Sequence, residues 1–238
     1  MQLLFVVLLP LVGALLPALA NRAGRSAAAG TAFLVSATAL VLLLSGAEGV
    51  FDGRVVTFDY DWLPAVGLNV SFWIDGLSLF FASLILGIGL LIIVYARFYL
   101  GREDDMGRFL AFILLFQGAM VGLVLSNNIL LLLVFWELTS LSSFLLIGFW
   151  SHLPAGRQGA RMALVVTGAG GLAMIAGMLL LGEVAGSYRI SDILAAGEAI
   201  QASTTACAAS DWATAGDAVR SAARIENAMS SRIVIVTS

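Results

Sequence analysis

The run LLLLVFWELTSLSSFLLIGFW, residues 130–150, decides the fold. As a helix it is about 30 Å long, the thickness of a bilayer's hydrocarbon core. Its one charged residue, Glu137, falls near the middle. A carboxylate at the centre of a membrane costs roughly 2.5–3.5 kcal/mol on insertion scales. An ionisable group held at that depth is a candidate for a proton relay. At 100° per residue, Glu137 shares a face with Leu130, Leu133, Leu141 and Phe144, and Ser140 lies about 60° away. Thr139, Ser142 and Ser143 point elsewhere, so the hydroxyls form no continuous stripe with the carboxylate. They are expected to bond back to carbonyls one turn earlier. The competing structural reading is a neutral, hydrogen-bonded Glu that fixes helix packing.

The rest of the chain agrees with a membrane setting. Of its 238 residues, 61% are hydrophobic and 11% charged, with a mean hydropathy of +1.02. Soluble domains carry about a quarter charged residues. A net charge of −3 gives no nucleic-acid footprint. The single cysteine, Cys207, and the single histidine, His152, exclude a disulfide framework and multi-Cys or His metal clusters. No nucleophile–base pair stands in a suitable context, and GAGG at 168–171 lies inside an apolar run and is no nucleotide loop. The reading is of a non-enzyme without cofactor or bound metal.

Apolar windows mark six spanning helices, near 2–20, 27–46, 76–99, 108–125, 129–149 and 162–184. The first ends in PALAN, which resembles a signal-peptide cleavage site. No positive charge precedes it, however, and the arginines of NRAGR follow it, so it reads as a retained helix. Pro10 and Pro17 inside it are tolerable in a bundle. All 12 basic residues are Arg. Arg22, Arg25, Arg97, Arg102, Arg108, Arg157 and Arg161 fall at the odd-numbered loops, against Arg54 and Arg189 opposite. The positive-inside rule then places the amino terminus outside.

The second loop, 50–74, alternates Val56, Phe58, Tyr60 and Trp62 with Thr57, Asp59 and Asp61. It breaks at Pro64–Gly67 and alternates again through Leu68, Val70 and Phe72. This pattern predicts an extracytoplasmic β-hairpin whose apolar face is covered by helix ends or by a neighbouring polypeptide of the same assembly. Asp75, before GLSLFF, is expected to cap the third helix. Ala163, Thr167 and Gly171 at four-residue spacing on the sixth helix, with Ala173 and Gly177 on another such row, suggest close helix approach. Glu183 lies near the end of that helix, close to water. SDILAAGEAIQ, after it, is expected to form a short surface helix, and beyond about residue 200 no spanning run remains.

These residues resemble a known family. VFWELTSLSSFLLIGFW at 134–150 resembles the fifth-helix signature of the A component of multisubunit, Mrp-type Na⁺/H⁺ antiporters. FWIDGLSLFFASLILGIGLLIIVYARFYL at 72–100, GAMVGLVLSNNILLL at 118–132 and ALVVTGAGGLAMIAGMLLLGEVAGSYRISDIL at 163–194 resemble other parts of it. The resemblance covers residues 1 to about 200. The antiporter-like subunits of respiratory complex I share WE and LLIGFW, but usually carry Gly–Val–Gly where this chain has Leu–Thr–Ser.

The resemblance implies an all-α polytopic membrane protein: an incomplete antiporter-like bundle of about six helices, with inverted five-helix repeats starting at what is here the fourth helix. Residues 1–107 would hold three helices and the hairpin loop at 50–74, and 108–200 the start of the first repeat. The tail at 201–238 reads as atypical and out of frame. The resemblance further implies that Glu137 pairs with a Lys on a seventh helix in a proton path. Ser140, one turn away, and Asp75, the expected cap, are taken from the residues themselves as lesser supporting candidates. It implies other antiporter subunits, Na⁺, H⁺ and the lipid bilayer of a bacterial cell membrane as partners. The chain has no Lys. Three readings therefore stand: a cation/proton antiporter segment, an inactive or structural fragment of a frameshifted gene, and a proton-pumping arm of a redox complex.

Overall fold

The computed structural model describes residues 1–197, so the atypical tail at 201–238 and Cys207 lie outside the described residues. Six helices within that range are long and apolar enough to cross a membrane. The first span is made of α1 (Gln2–Gly13), α2 (Leu15–Ala20) and a closing 3-10 turn at Asn21–Ala23. It is interrupted at Ala14 because Pro17 has no N–H for the carbonyl of Gly13. At the same point, a Cβ on Gly13 would stand 2.6 Å from Val35, so the glycine lets α3 (Arg25–Ser45) come close.

A short α4 (Glu48–Phe51) leads into β1 (Val56–Leu63) and β2 (Leu68–Ile74), the expected antiparallel hairpin. Val56 pairs with Ile74, Phe58 with Phe72 and Tyr60 with Val70, so the apolar residues share one face. The register slips between Tyr60 and Leu63, and Gly67 takes φ +74° in the turn. Helix ends cover the near half of that face: Phe72 and Ile74 are buried, and Val56, Phe58 and Val70 pack on the same core. At the far half, Tyr60 and Trp62 are exposed.

The remaining spans are α5 (Gly76–Tyr99), α6 (Met106–Leu125), α7 (Ile129–Ile147) and α8 (Pro154–Ala185), followed by the short α9 (Ile190–Ala195). One apolar core lies toward the hairpin, joining Leu3, Val7, Leu43, Phe72, Leu86 and Leu125. A second lies at the opposite end, around Ala32, Ile93, Leu110 and Phe149.

Two expectations change. The sixth span begins at Pro154, not near 162, because two turns carrying Arg157 and Arg161 precede the apolar run. Proline at the first helical turn costs no hydrogen bond and favours that start. Arg157 and Arg161 are therefore helical residues rather than loop residues. The arginines at this end also join elements. Arg25 donates to the carbonyls of Leu100 (2.8 Å) and Gly101 (2.6 Å). Arg108 donates to the Phe149 carbonyl at 2.9 Å and lies 5.1 Å from that ring's centroid.

Candidate functional site

Three buried residues in the tight turn between α6 and α7 set the position of α7. Asn128 accepts from the amides of Leu130 (2.9 Å) and Leu131 (3.2 Å), capping the helix, and its Nδ2 donates to the Gly67 carbonyl at 2.8 Å. The Asn127 amide donates to the Ser71 carbonyl at 2.8 Å, and its Oδ1 accepts from the Ser191 amide at 3.1 Å. Ser126 forms a bridge with Phe72 of β2, and its hydroxyl donates to the Gly122 carbonyl. Sequence alone suggests only a short loop here. The signal was two adjacent side-chain amides at the mouth of an apolar run, a pairing that hydropathy does not register.

From that anchor, α7 carries Glu137 to mid-span. Its Oε1 is buried and has no hydrogen-bond partner. The carboxylate lies against Gly171 of α8, where a Cβ would stand 2.0 Å from Oε1 and 3.0 Å from Cδ. Of the two small-residue rows, Ala163, Thr167 and Gly171 face α7, whereas a Cβ on Gly177 would meet nothing within 4 Å. The packing role expected of the first row thus narrows to a notch that receives an acid.

Beside the notch is a cleft of ≈ 610 Å³ between α6, α7 and α8, lined by Trp136, Thr139, Ser140, Ser143, Thr167 and Gly171 among others. The hydroxyls mostly bond within their own helices, as expected. Thr139 donates to the Trp136 carbonyl at 2.7 Å, Ser140 to the same carbonyl at 3.3 Å, and Thr167 to that of Ala163 at 2.8 Å. Ser142 is buried and bonds to the Leu138 carbonyl. Ser140 therefore lies one turn from Glu137 with its proton committed elsewhere.

Asp75 is not brought to this site. It caps α5 at the hairpin end, accepting from the Ser78 amide at 2.8 Å while its own amide donates to Ser78 Oγ at 2.8 Å. The Ser78 amide bond, the largest influence, holds its carboxyl below the ordinary value against an opposing effect of burial. The two ion pairs among the described residues, Arg54–Asp52 and Arg189–Asp59, both involve the hairpin region, and neither includes Glu137. Glu183 is exposed.

A second buried polar group, which sequence reasoning does not single out, crosses the bundle at α6. Gln117 is 3% exposed and donates to Ser36 Oγ of α3 (3.1 Å) and the Ile85 carbonyl of α5 (3.3 Å). It passes α5 through a gap at Gly89, where a Cβ would stand 1.6 Å from its Nε2.

Comparison with known proteins follows the same lines. Residues 62–110 match the family described as NADH-Ubiquinone oxidoreductase (complex I), chain 5 N-terminus. Residues 126–223 match that described as NADH:quinone oxidoreductase/Mrp antiporter, TM. The A/B component of a probable K⁺/H⁺ antiporter from Rhizobium meliloti is 44% identical over 82% of this chain and 20% of its own length. The A1 component of a Na⁺/H⁺ antiporter from Staphylococcus haemolyticus is 38% identical over 82% of this chain and 24% of its own. The chain thus spans about a fifth to a quarter of the curated relatives it matches. A chain in the structure of the Mrp complex from Dietzia sp. superposes with TM-score 0.70 at 29% identity, over 82% of this chain and 21% of that one. A chain of the archaeal membrane-bound sulfane sulfur reductase, at TM-score 0.66 and 19% identity, shares the fold.

Proposed function

We propose that this chain, which is related to the amino-terminal portion of the A component of Mrp-type antiporters, supplies Glu137 as a midmembrane proton carrier in a monovalent cation/proton antiporter. One observation carries this reading: a carboxylate in the middle of a spanning helix has a buried oxygen without a partner, seated in a glycine notch. A structural Glu in hydrocarbon satisfies both oxygens, because each orphan costs about 1–3 kcal/mol. An acid kept unsatisfied between two helices is free to take a proton from one neighbour and pass it to another.

In this reading the hairpin faces the outside and the arginine-rich end the cytoplasm of a bacterial cell, as the positive-inside rule requires. Other subunits of the assembly and the transported ions, H⁺ with Na⁺ or K⁺, are its partners. Neither ion pair among the described residues includes Glu137. Ser140, whose hydroxyl proton is committed to the Trp136 carbonyl, supports the site through its oxygen alone. Asp75 contributes by fixing α5.

The test is substitution in the complete assembly. Glu137→Ala and Glu137→Gln are expected to bring cation-driven proton efflux from everted vesicles down to background, with Na⁺ and K⁺ tried separately. Insertion and assembly stay at wild-type levels. Exchange retained in both variants refutes the relay.

A further inference from the structure

We infer that Phe72 of the hairpin and Phe135 of α7 are positioning residues for Glu137, so that the docked hairpin sets where the midmembrane carboxylate points. The inference deepens the proton-carrier reading and rests on it for its functional meaning. Phe135 precedes Glu137 by two residues, about 200° around the helix, so the two side chains leave α7 on nearly opposite sides. Each enters a glycine notch in a neighbouring helix. A Cβ on Gly122 of α6 would stand 2.4–2.6 Å from three atoms of the Phe135 ring, as a Cβ on Gly171 of α8 would stand 2.0 Å from Glu137 Oε1. The two notches hold α7 like opposed keys, and rotation of the helix about its axis swings both side chains off their glycines.

The hairpin closes the first key. The Phe72 ring, 1% exposed, lies 6.1 Å from the Phe135 ring, centroid to centroid, with a 43° tilt, within the range of attractive aromatic pairs. Phe72 itself is held by the bridge to Ser126, and its strand by the Asn127 amide on the Ser71 carbonyl and by Asn128 on Gly67. These attachments fall in the turn that leads into α7 and, through Phe135, within its first two turns. Displacement of the hairpin frees Phe135, lets α7 turn and takes the carboxylate off Gly171.

Hydrophobic carbodiimide labelling of Glu137 in the complete assembly tests this directly, since the reagent must reach the carboxyl group now seated against Gly171. The rate is followed by mass spectrometry of the peptide that contains Glu137. Phe72→Ala, Phe135→Ala and Gly122→Ala are expected to raise it about two- to twelve-fold, the Boltzmann factor of losing one aromatic pair. Phe72→Leu, which keeps apolar volume but not the ring, gives a smaller rise and covers the case in which an Ala variant fails to assemble. Phe80→Ala, at an exposed aromatic of α5, leaves the rate unchanged. Wild-type labelling in the assembled Phe72 and Phe135 variants overturns the inference, as does an equal rise in the Phe80 control. Labelling does not require Glu137 to carry protons. If Glu137→Ala retains antiport, the proton-carrier reading fails while the positional result stands.

Discussion

Replacing Gly171 by alanine separates folding from function at this site. The new methyl carbon would begin 2.0 Å from Glu137 Oε1, and closest tolerable contact is near 3.0 Å, so the oxygen must retreat by about 1 Å. The atom in the way is the end of a flexible side chain, so the carboxylate swings and the backbones stay. An off-rotamer side chain costs about 0.5–1.5 kcal/mol, and alanine returns about 0.8–1.0 kcal/mol of helix propensity over glycine. The net change in stability is therefore within about 1 kcal/mol of zero. Function behaves differently, because a 1 Å misplacement of a reacting group can cost about 100-fold in rate. The expected outcome is an assembled complex with a near wild-type melting profile and antiport reduced by one to two orders of magnitude. Gly177→Ala, where the methyl meets nothing within 4 Å, is the matched control and should transport normally. Wild-type antiport in Gly171→Ala, at normal assembly, would refute the claim that the notch seats the working carboxylate.

Two further predictions concern the hairpin end. Asn128→Ala removes the α7 cap and the bond to the Gly67 carbonyl together. It should lower stability in detergent by about 2–3 kcal/mol, measured as a fall in melting temperature, with Asn128→Ser recovering the cap alone. Asp75 has a folded-state carboxyl pKa depressed below its ordinary 3.8. Its stabilisation is thus fully present above that value and lost as pH falls through the folded pKa. Wild type should exceed Asp75→Asn in thermal stability at neutral pH, and the gap should close only below about pH 3.8. A gap that persists unchanged in stronger acid would show that charge is not what Asp75 contributes.

Much of this architecture was legible in the sequence, for identifiable reasons. Spanning helices and the hairpin are written in local patterns: apolar runs of membrane length, and a period of two broken at Pro64–Gly67. The Asp75 cap was readable because its acceptor and its target lie three residues apart. The start of α8 was not, because hydropathy locates apolar surface, and the two turns bearing Arg157 and Arg161 are helix without being apolar. The notches were least legible. Gly122, Gly171 and Gly89 look like the tolerated glycines of any membrane helix, and only their neighbours across the interface, Phe135, Glu137 and Gln117, give them meaning. The same holds for Asn127 and Asn128, which serve residues 61 to 64 positions away.

The Tyr188 ring is wedged between two glycines: a Cβ on Gly67 would stand 2.4 Å from it, and one on Gly182 2.1 Å. This gives the protein a schedule. The hairpin turn leaves the ribosome 121 residues before the tyrosine that completes its seat. At about 5–20 residues per second, that delay is roughly 6–24 s. For the first part of that interval, until α7 is made, Phe72 and Ile74 lack the full set of helices that bury them. Biogenesis must therefore keep an aromatic, strand-forming segment from pairing with its copies on neighbouring nascent chains. The exposed far half of the hairpin, with Asp59 and Asp61 set between its aromatics, supplies like charges that repel such copies during the wait.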